Sequence, residues 1–264
     1  MLNKNLLQQK LQSGEPVLGT WSIIPSAVTA DIIASSNLDF IIIDREHGPV
    51  GYEVAQQMIM ACESRNVTPI LRVEGIRNEE ILRALDIGAH GVQVPNVTTH
   101  EEAKTVVEAA KYPPIGTRGF SPFTRAGNYS LSTATTLTQS ANENTLVVLN
   151  IEGKEAIDNI DKILSLEGID ILFIGLYDLS KALGIPGQVN HPDLLDRLRE
   201  VTEKINAAGK YTGTIATSSE SMNLFLKMGI KYLAYLVDCE MLRSVYTNVH
   251  NEFQKACHEL CLHH

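Results

Sequence analysis

Four short segments of the 264-residue chain carry reactive side chains directly after apolar runs. F-I-I-I-D leads into Asp44-Arg45-Glu46-His47-Gly48, P-I-L-R-V holds Arg72, L-V-V-L leads into Asn150-Ile151-Glu152-Gly153, and I-L-F-I leads into Gly175-Leu176-Tyr177-Asp178. Glu152 and Asp178 offer oxygen donors with no Cys or second His beside them. Such a hard donor set suits Mg²⁺ or Mn²⁺ and leaves most of an octahedron for water and a ligand. A 2-oxo acid can chelate an ion there through its carboxylate and keto oxygens, and the ion then polarises the keto group and stabilises an enolate. Arg72 would add fixed positive charge where that oxyanion develops. His47 supplies the side-chain type that ordinarily titrates near neutral pH, as the proton transfers of an aldol cleavage require.

Each residue also has a plainer reading. A lone His is more often a hydrogen-bonded surface or core residue, and Arg72 can simply pair with Glu74 or Glu46. Glu152 and Asp178 each precede a helix-period stretch, where an acid is stabilised by the helix dipole. Their joint occurrence after buried-looking runs favours a site over four separate structural roles.

The elements that must hold these residues alternate along the chain. Strand-like runs occur at Val17 to Trp21, Phe40 to Asp44, Pro69 to Val73, Gly91 to Val94, Leu146 to Ile151, Ile171 to Ile174, Tyr211 to Ile215 and Tyr232 to Val237. Helix-period segments follow at Tyr52 to Ser64, Asn78 to Asp86, His100 to Ala110, Lys154 to Leu166, Pro192 to Ala208 and Glu220 to Met228. Strands alternating with helices predict βαβ units and a parallel sheet, and near-continuous apolar strands predict burial on both faces. Eight units in this length predict one (β/α)₈ TIM barrel, α/β in class, over residues 1–264. A doubly wound sheet is the competing architecture, but no G-x-G-x-x-G follows the first strand. The connection from Lys111 to Asn144 is too long for a plain crossover and reads as a functional loop. Residues 239–264 read as a further long helix and tail with little room in a closed barrel, suited to packing on another subunit.

Charge and composition narrow the partners. The 22 Lys+Arg against 31 Asp+Glu give a net charge of −9, the opposite of the footprint that nucleic acid binding needs. Hydrophobic residues at 44% supply a sizeable core, and no apolar run approaches the roughly 18 residues of a membrane span. Met1 to Pro16 is polar and lacks the features of a secretory signal, so a cytoplasmic location is expected. There the four cysteines, Cys62, Cys239, Cys257 and Cys261, would stay reduced.

In chain order, F-I-I-I-D-R-E-H-G-P, I-L-R-V, L-D-I-G-A-H-G-V-Q-V-P-N-V, Y-P-P-I-G-T-R-G, N-I-E and F-I-G-L-Y-D-L-S resemble the HpcH/HpaI family of metal-dependent 4-hydroxy-2-oxo-acid aldolases, from about Gly19 to Asp238. The resemblance implies a modified barrel whose last helix is exchanged between subunits of a homo-oligomer, a hexamer built as a trimer of dimers. It implies cleavage of a 2-oxo acid to pyruvate and an aldehyde, and the reverse addition, with Mg²⁺, Mn²⁺ or Co²⁺. On the matching positions, Glu152 and Asp178 would be the metal ligands, His47 the acid/base, and Arg72 the arginine that holds pyruvate and stabilises the enolate. Asp86 matches an acid that reaches the histidine of a neighbouring subunit, although L-D-I-G is equally good helix-end structure. Trp21, Asn150 and Gly175 fall on the substrate pocket, and backbone amides around Tyr177 and Asp178 would meet the pyruvate carboxylate.

The sequence also departs from the family's pattern. Asn150 stands where Gln is common, shortening one polar contact by a methylene, and Leu176-Tyr177 where Pro-Ala is common, where the Tyr enlarges one wall and bears on which aldehyde fits; both changes bear on the substrate and spare the metal and base. Arg118 and Arg125 flank F-S-P-F-T in the long loop and stay outside the catalytic set as solvated or paired arginines. The alternatives are a Mg²⁺-dependent acyl-CoA lyase of the citrate lyase β type and a non-catalytic barrel subunit. The terminal C-H-E-L-C-L-H-H, Cys257 to His264, matches no standard zinc spacing.

Overall fold

Eight strands, Val17–Ser22 (β1), Phe40–Asp44 (β2), Thr68–Arg72 (β3), Gly91–Val94 (β4), Leu146–Ile151 (β5), Ile171–Ile174 (β6), Tyr211–Ala216 (β7) and Tyr232–Val237 (β8), close in chain order into a barrel. All neighbours are parallel, including β8 with β1. The computed structural model describes residues 5–131 and 134–262. Among these the helices are Leu6–Gln12 (α1), Ala27–Ala34 (α2), Tyr52–Ser64 (α3), Asn78–Asp86 (α4), His100–Ala110 (α5), Ala134–Asn144 (α6), Gly153–Asp158 (α7), Ile160–Leu164 (α8), Leu176–Ala182 (α9), Pro192–Ala207 (α10), Ser219–Lys227 (α11) and Asp238–Leu262 (α12). The eight expected strands are present, with ends moved by at most a residue.

Alternation along each strand separates two cores. Phe40, Ile42, Ile70, Val148, Phe173 and Tyr232 fill the barrel, while Ile41, Ile43, Leu71, Val92, Val147 and Leu149 face the helices. Phe40 and Tyr232 stack inside the barrel at 4.1 Å between centroids, and Phe173 meets Tyr232 edge-on. Gly213 makes room for them, because a Cβ there would lie 2.7 Å from Tyr232 Cδ1. The barrel is a packed core, so chemistry is confined to its rim.

Three expectations change. The N-terminal stretch read as polar contains α1, whose Leu7 and Leu11, one turn apart, complete the barrel core. Asn5 caps this helix by accepting from Gln8 N and donates to the carbonyls of His90 and Asn144. Those bonds hold α1 under the N-terminal end of the barrel, since His90 precedes β4. Two buried leucines among polar residues are too faint a periodicity to see in sequence.

The Lys111 to Asn144 connection is not all loop, for α6 buries Leu137 and Ala141 with the same i, i+4 spacing; Ser132 and Thr133 lie outside the described residues. The helix expected over Lys154 to Leu166 divides into α7 and α8 at Asn159, whose side chain donates to the Thr98 carbonyl. That bond ties the break between the two helices to the segment that precedes α5. In addition, Ala27–Ala34 forms a helix absent from the sequence reading.

The last helix, α12, is a 25-residue element. Asp238, at its start, accepts from Ser22 Oγ at 2.7 Å and from the amides of Ile23, Ile24 and Cys239, clamping the loop after β1 to the helix. Farther along, Tyr246, Val249, Phe253 and Leu260 are exposed. Of the terminal C-H-E-L-C-L-H-H, Cys257 and His258 lie on α12, with Cys257 a free thiol, while His263 and His264 lie outside the described residues. No helix among those described is long and apolar enough to cross a membrane.

Candidate active site

A cavity of about 340 Å³ opens at the C-terminal ends of the strands. Trp21 from β1, His47 after β2, Arg72 from β3, Asn150 and Glu152 at the end of β5, and Gly175, Tyr177 and Asp178 after β6 all line it. Residues separated by as many as 157 positions therefore meet on one rim, as parallel β/α topology requires.

Arg72 is buried and held by three groups. Its Nε and Nη2 donate to the two oxygens of Asp44 at 2.8 and 2.5 Å, and Nη1 lies 2.7 Å from Glu46 Oε2. The guanidinium also covers the Trp21 ring at 4.2 Å. Asp44 is a site member with no role expected from sequence. Besides pairing with Arg72, its Oδ1 accepts the amides of Glu46 and His47 at 2.9 and 3.3 Å. One carboxylate therefore sets both the arginine and the turn that presents His47. The available signal was an Asp closing an otherwise apolar strand. Of the two partners considered for Arg72, Glu46 is confirmed, while Glu74 pairs with Arg45 and Arg77.

Glu152 occupies the N-cap position of α7 but makes no capping bond with its side chain. Asn150 Nδ2 donates to Glu152 Oε1 at 2.9 Å, and Asn150 Oδ1 accepts from Gln93 Nε2 at 2.7 Å. Gln93, fully buried on β4, is a second site residue with no signal along the chain to single it out. A Cβ at Gly175 would lie 3.2 Å from Glu152 Cγ and 3.8 Å from both Glu152 Oε1 and Asp178 Oδ2. The missing side chain leaves both carboxylates facing one small space. Burial pushes the Glu152 carboxyl above its ordinary range, the Asn150 N–H opposes this, and the charges of Glu46 and Asp178 push it further up, against Arg72. A buried carboxylate with acidic neighbours is short of positive charge, and these oxygen donors fit a hard divalent cation.

His47 stands exposed at the cavity mouth, with Nε2 4.0 Å from Glu46 Oε2. Tyr177 is also exposed there. Asp86 is not brought to this rim. It ends α4, where the chain turns back toward the start of β4, and pairs with Arg118 at 2.8 Å. Arg125 pairs with Glu63, which also bonds His90 Nε2 at 2.9 Å. Both loop arginines are thus paired, as expected of residues outside the catalytic set.

The chain is similar to known proteins over most of its length. The model of a family described as HpcH/HpaI aldolase/citrate lyase matches residues 18–244. The chain is 32% identical over 245 residues to the hydroxypyruvate/pyruvate aldolase of Roseobacter denitrificans, covering 90% of this chain and 93% of that protein. It is 34% identical over 229 residues to the 2-dehydro-3,6-dideoxy-6-sulfogluconate aldolase of Pseudomonas putida, covering 86% and 88%. The solved structure of the citrate synthase SbnG is similar with a TM-score of 0.85 at 30% identity, covering 96% of this chain and 99% of that one.

Proposed function

The chain belongs to the HpcH/HpaI aldolase/citrate lyase family, and from that premise we propose that it is a divalent-metal-dependent aldolase, a carbon–carbon lyase that cleaves a 4-hydroxy-2-oxo acid to pyruvate and an aldehyde and runs the reverse addition. The observation that carries this reading is the meeting of His47, Arg72, Glu152 and Asp178 on one cavity. Relatives named as aldolases, at 32% and 34% identity over most of their length, favour it over an acyl-CoA lyase or a non-catalytic barrel.

Glu152 and Asp178 would hold the ion, Mg²⁺, Mn²⁺ or Co²⁺; when bound it supplies Lewis acidity to a keto oxygen. The remaining work belongs to the chain. Arg72, fixed by Asp44 and Glu46, keeps an N–H on each terminal nitrogen for the oxygens of a 2-oxo acid, and its charge favours the enolate. His47 takes the proton of the C4 hydroxyl, the C3–C4 electron pair passes into the enolate, and the aldehyde leaves; reprotonation at C3 gives pyruvate. Backbone amides at the start of α9, around Tyr177 and Asp178, receive the pyruvate carboxylate. The Trp21 and Tyr177 rings form walls of the pocket, with Tyr177 on the aldehyde side. Asn150 acts through Glu152.

The working form is a homo-oligomer in the cytoplasm, a hexamer arranged as a trimer of dimers. Support comes from the exposed apolar residues of α12 and from a largely apolar cavity of about 520 Å³ lined by Leu18, Ile32, Met222 and Leu242 among others. Residues 239–264 serve this assembly, and Asp86 acts toward a neighbouring subunit's site rather than its own.

The test combines metal titration with pyruvate release. Glu152→Ala or Asp178→Ala should abolish Mn²⁺ binding, whereas His47→Ala should retain the metal and lose turnover. Full activity of Glu152→Ala after exhaustive chelation would sink the mechanism. Screening aldehydes with pyruvate in the condensation direction identifies the partner.

A further inference from the structure

We infer that Gln93 is a positioning residue that fixes the direction of a hydrogen-bond chain ending on Glu152, and so holds that carboxylate ready for a divalent cation. The inference rests on the metal-site reading above. Gln93 lies on β4 between Arg72 of β3 and Val148 of β5 in register. It is fully buried and is not part of the cavity wall. Its Nε2 donates to Asn150 Oδ1 at 2.7 Å, and Asn150 Nδ2 donates to Glu152 Oε1 at 2.9 Å.

The direction of this chain follows from its last member. An ionised carboxylate only accepts hydrogen bonds, so Asn150 must turn its NH₂ toward Glu152 and its carbonyl inward. The group behind it must then be a donor, and the Gln93 NH₂ is that donor. The consequence is visible at the other end of the same amide: Gln93 Oε1 is buried with no hydrogen-bond partner among the described residues. An unpaired buried acceptor destabilises a fold, and an apolar side chain of equal length would avoid it. Packing therefore does not explain a glutamine at this position, whereas a requirement for a donor toward Asn150 does. Without that donor the Asn150 amide can present its carbonyl to Glu152, which repels the carboxylate and releases it from its place beside Asp178. Partners of metal ligands that lie one shell out affect metal affinity by about tenfold to a hundredfold.

The experiment is a Mn²⁺ titration of the full chain at one pH, comparing wild type, Gln93→Met, Asn150→Ala and the double variant, each with a melting temperature. Gln93→Leu stands in if Gln93→Met does not fold. The expected result is Mn²⁺ affinity weaker by severalfold, up to about the tenfold seen for direct partners of metal ligands, for Gln93→Met, with the melting temperature unchanged or higher. In the Asn150→Ala background the same substitution should have no further effect, because Gln93 acts through Asn150. Wild-type affinity in Gln93→Met overturns the inference alone. So does an equal loss in both Asn150 backgrounds, or a loss that follows a lowered melting temperature. Absence of Mn²⁺ binding by the wild-type chain overturns the metal-site reading and this inference with it.

Discussion

At the rim of the barrel, the guanidinium of Arg72 meets Asp44 through two N–H groups, forms an ion pair with Glu46 at 2.7 Å and covers the Trp21 face with its plane. Only a planar fork satisfies these contacts together, since a lysine ammonium is a point charge on a flexible stem. Arg72→Lys should therefore lower kcat/KM by about 100-fold or more, on the order of 3 kcal/mol, although charge is conserved. A coupled pyruvate assay measures it, and near-wild-type turnover would refute the geometric role. Cys62 gives a contrasting case. Burial pushes its thiol up to about 12, with the charge of Glu63 adding to the effect. Since the thiolate is the reactive form, Cys62 stays protonated and unreactive at pH 8 in the folded chain. A thiol reagent should label it only on unfolding, and labelling as fast as Cys239 or Cys257 would contradict this. Arg72 and the carboxylates were legible from their places after apolar runs. Of the Arg72 partners, Glu46 was one of two candidates and Asp44 was not among them, because nothing along the chain brings the end of β2 beside β3 until the barrel closes.

At the scale of elements, the strands were readable because burial on both faces leaves continuous apolar runs. Helices α1 and α6 were not, since each presents few apolar residues and meets its neighbours far away in sequence: α1 through Asn5 to His90 and Asn144, and α6 through the Lys111 Nζ bond to the Thr145 carbonyl that follows it. The contribution of α1 to the core is open to measurement. Leu11 is almost fully buried under the barrel, and Leu11→Ala should cost about 2–5 kcal/mol by removing methylenes and leaving a cavity. Chemical denaturation reads this directly. A loss below about 0.5 kcal/mol would mean that α1 is not docked in solution.

For the whole molecule, α12 carries the main unresolved burial. Tyr246 and Phe253 are both more than 60% exposed on one chain, at 71% and 62%. Large apolar side chains grouped this way on a surface mark an interaction site. Tyr246→Glu together with Phe253→Glu should shift the sedimentation coefficient to that of a smaller species while circular dichroism is unchanged. An unaltered sedimentation profile would rule out this face as the contact. The net charge of −9 bears on the same scale: an anionic keto acid approaches a chain of like sign, so attraction must arise locally at the site.

The sequence by itself determined the class of fold and the chemical types available at the rim, because both follow from local patterning: alternation and apolar runs for strands, reactive residues at the ends of those runs. Only the tertiary structure decided which of those residues act together. It joined Arg72 to Asp44, stationed Gln93 behind Asn150, turned Glu152 and Asp178 toward the space above Gly175, and left Asp86 at the far end of the barrel with Arg118. Hydrogen bonds and ion pairs act over a few ångströms, and that proximity is created across strands by register and closure rather than along the chain.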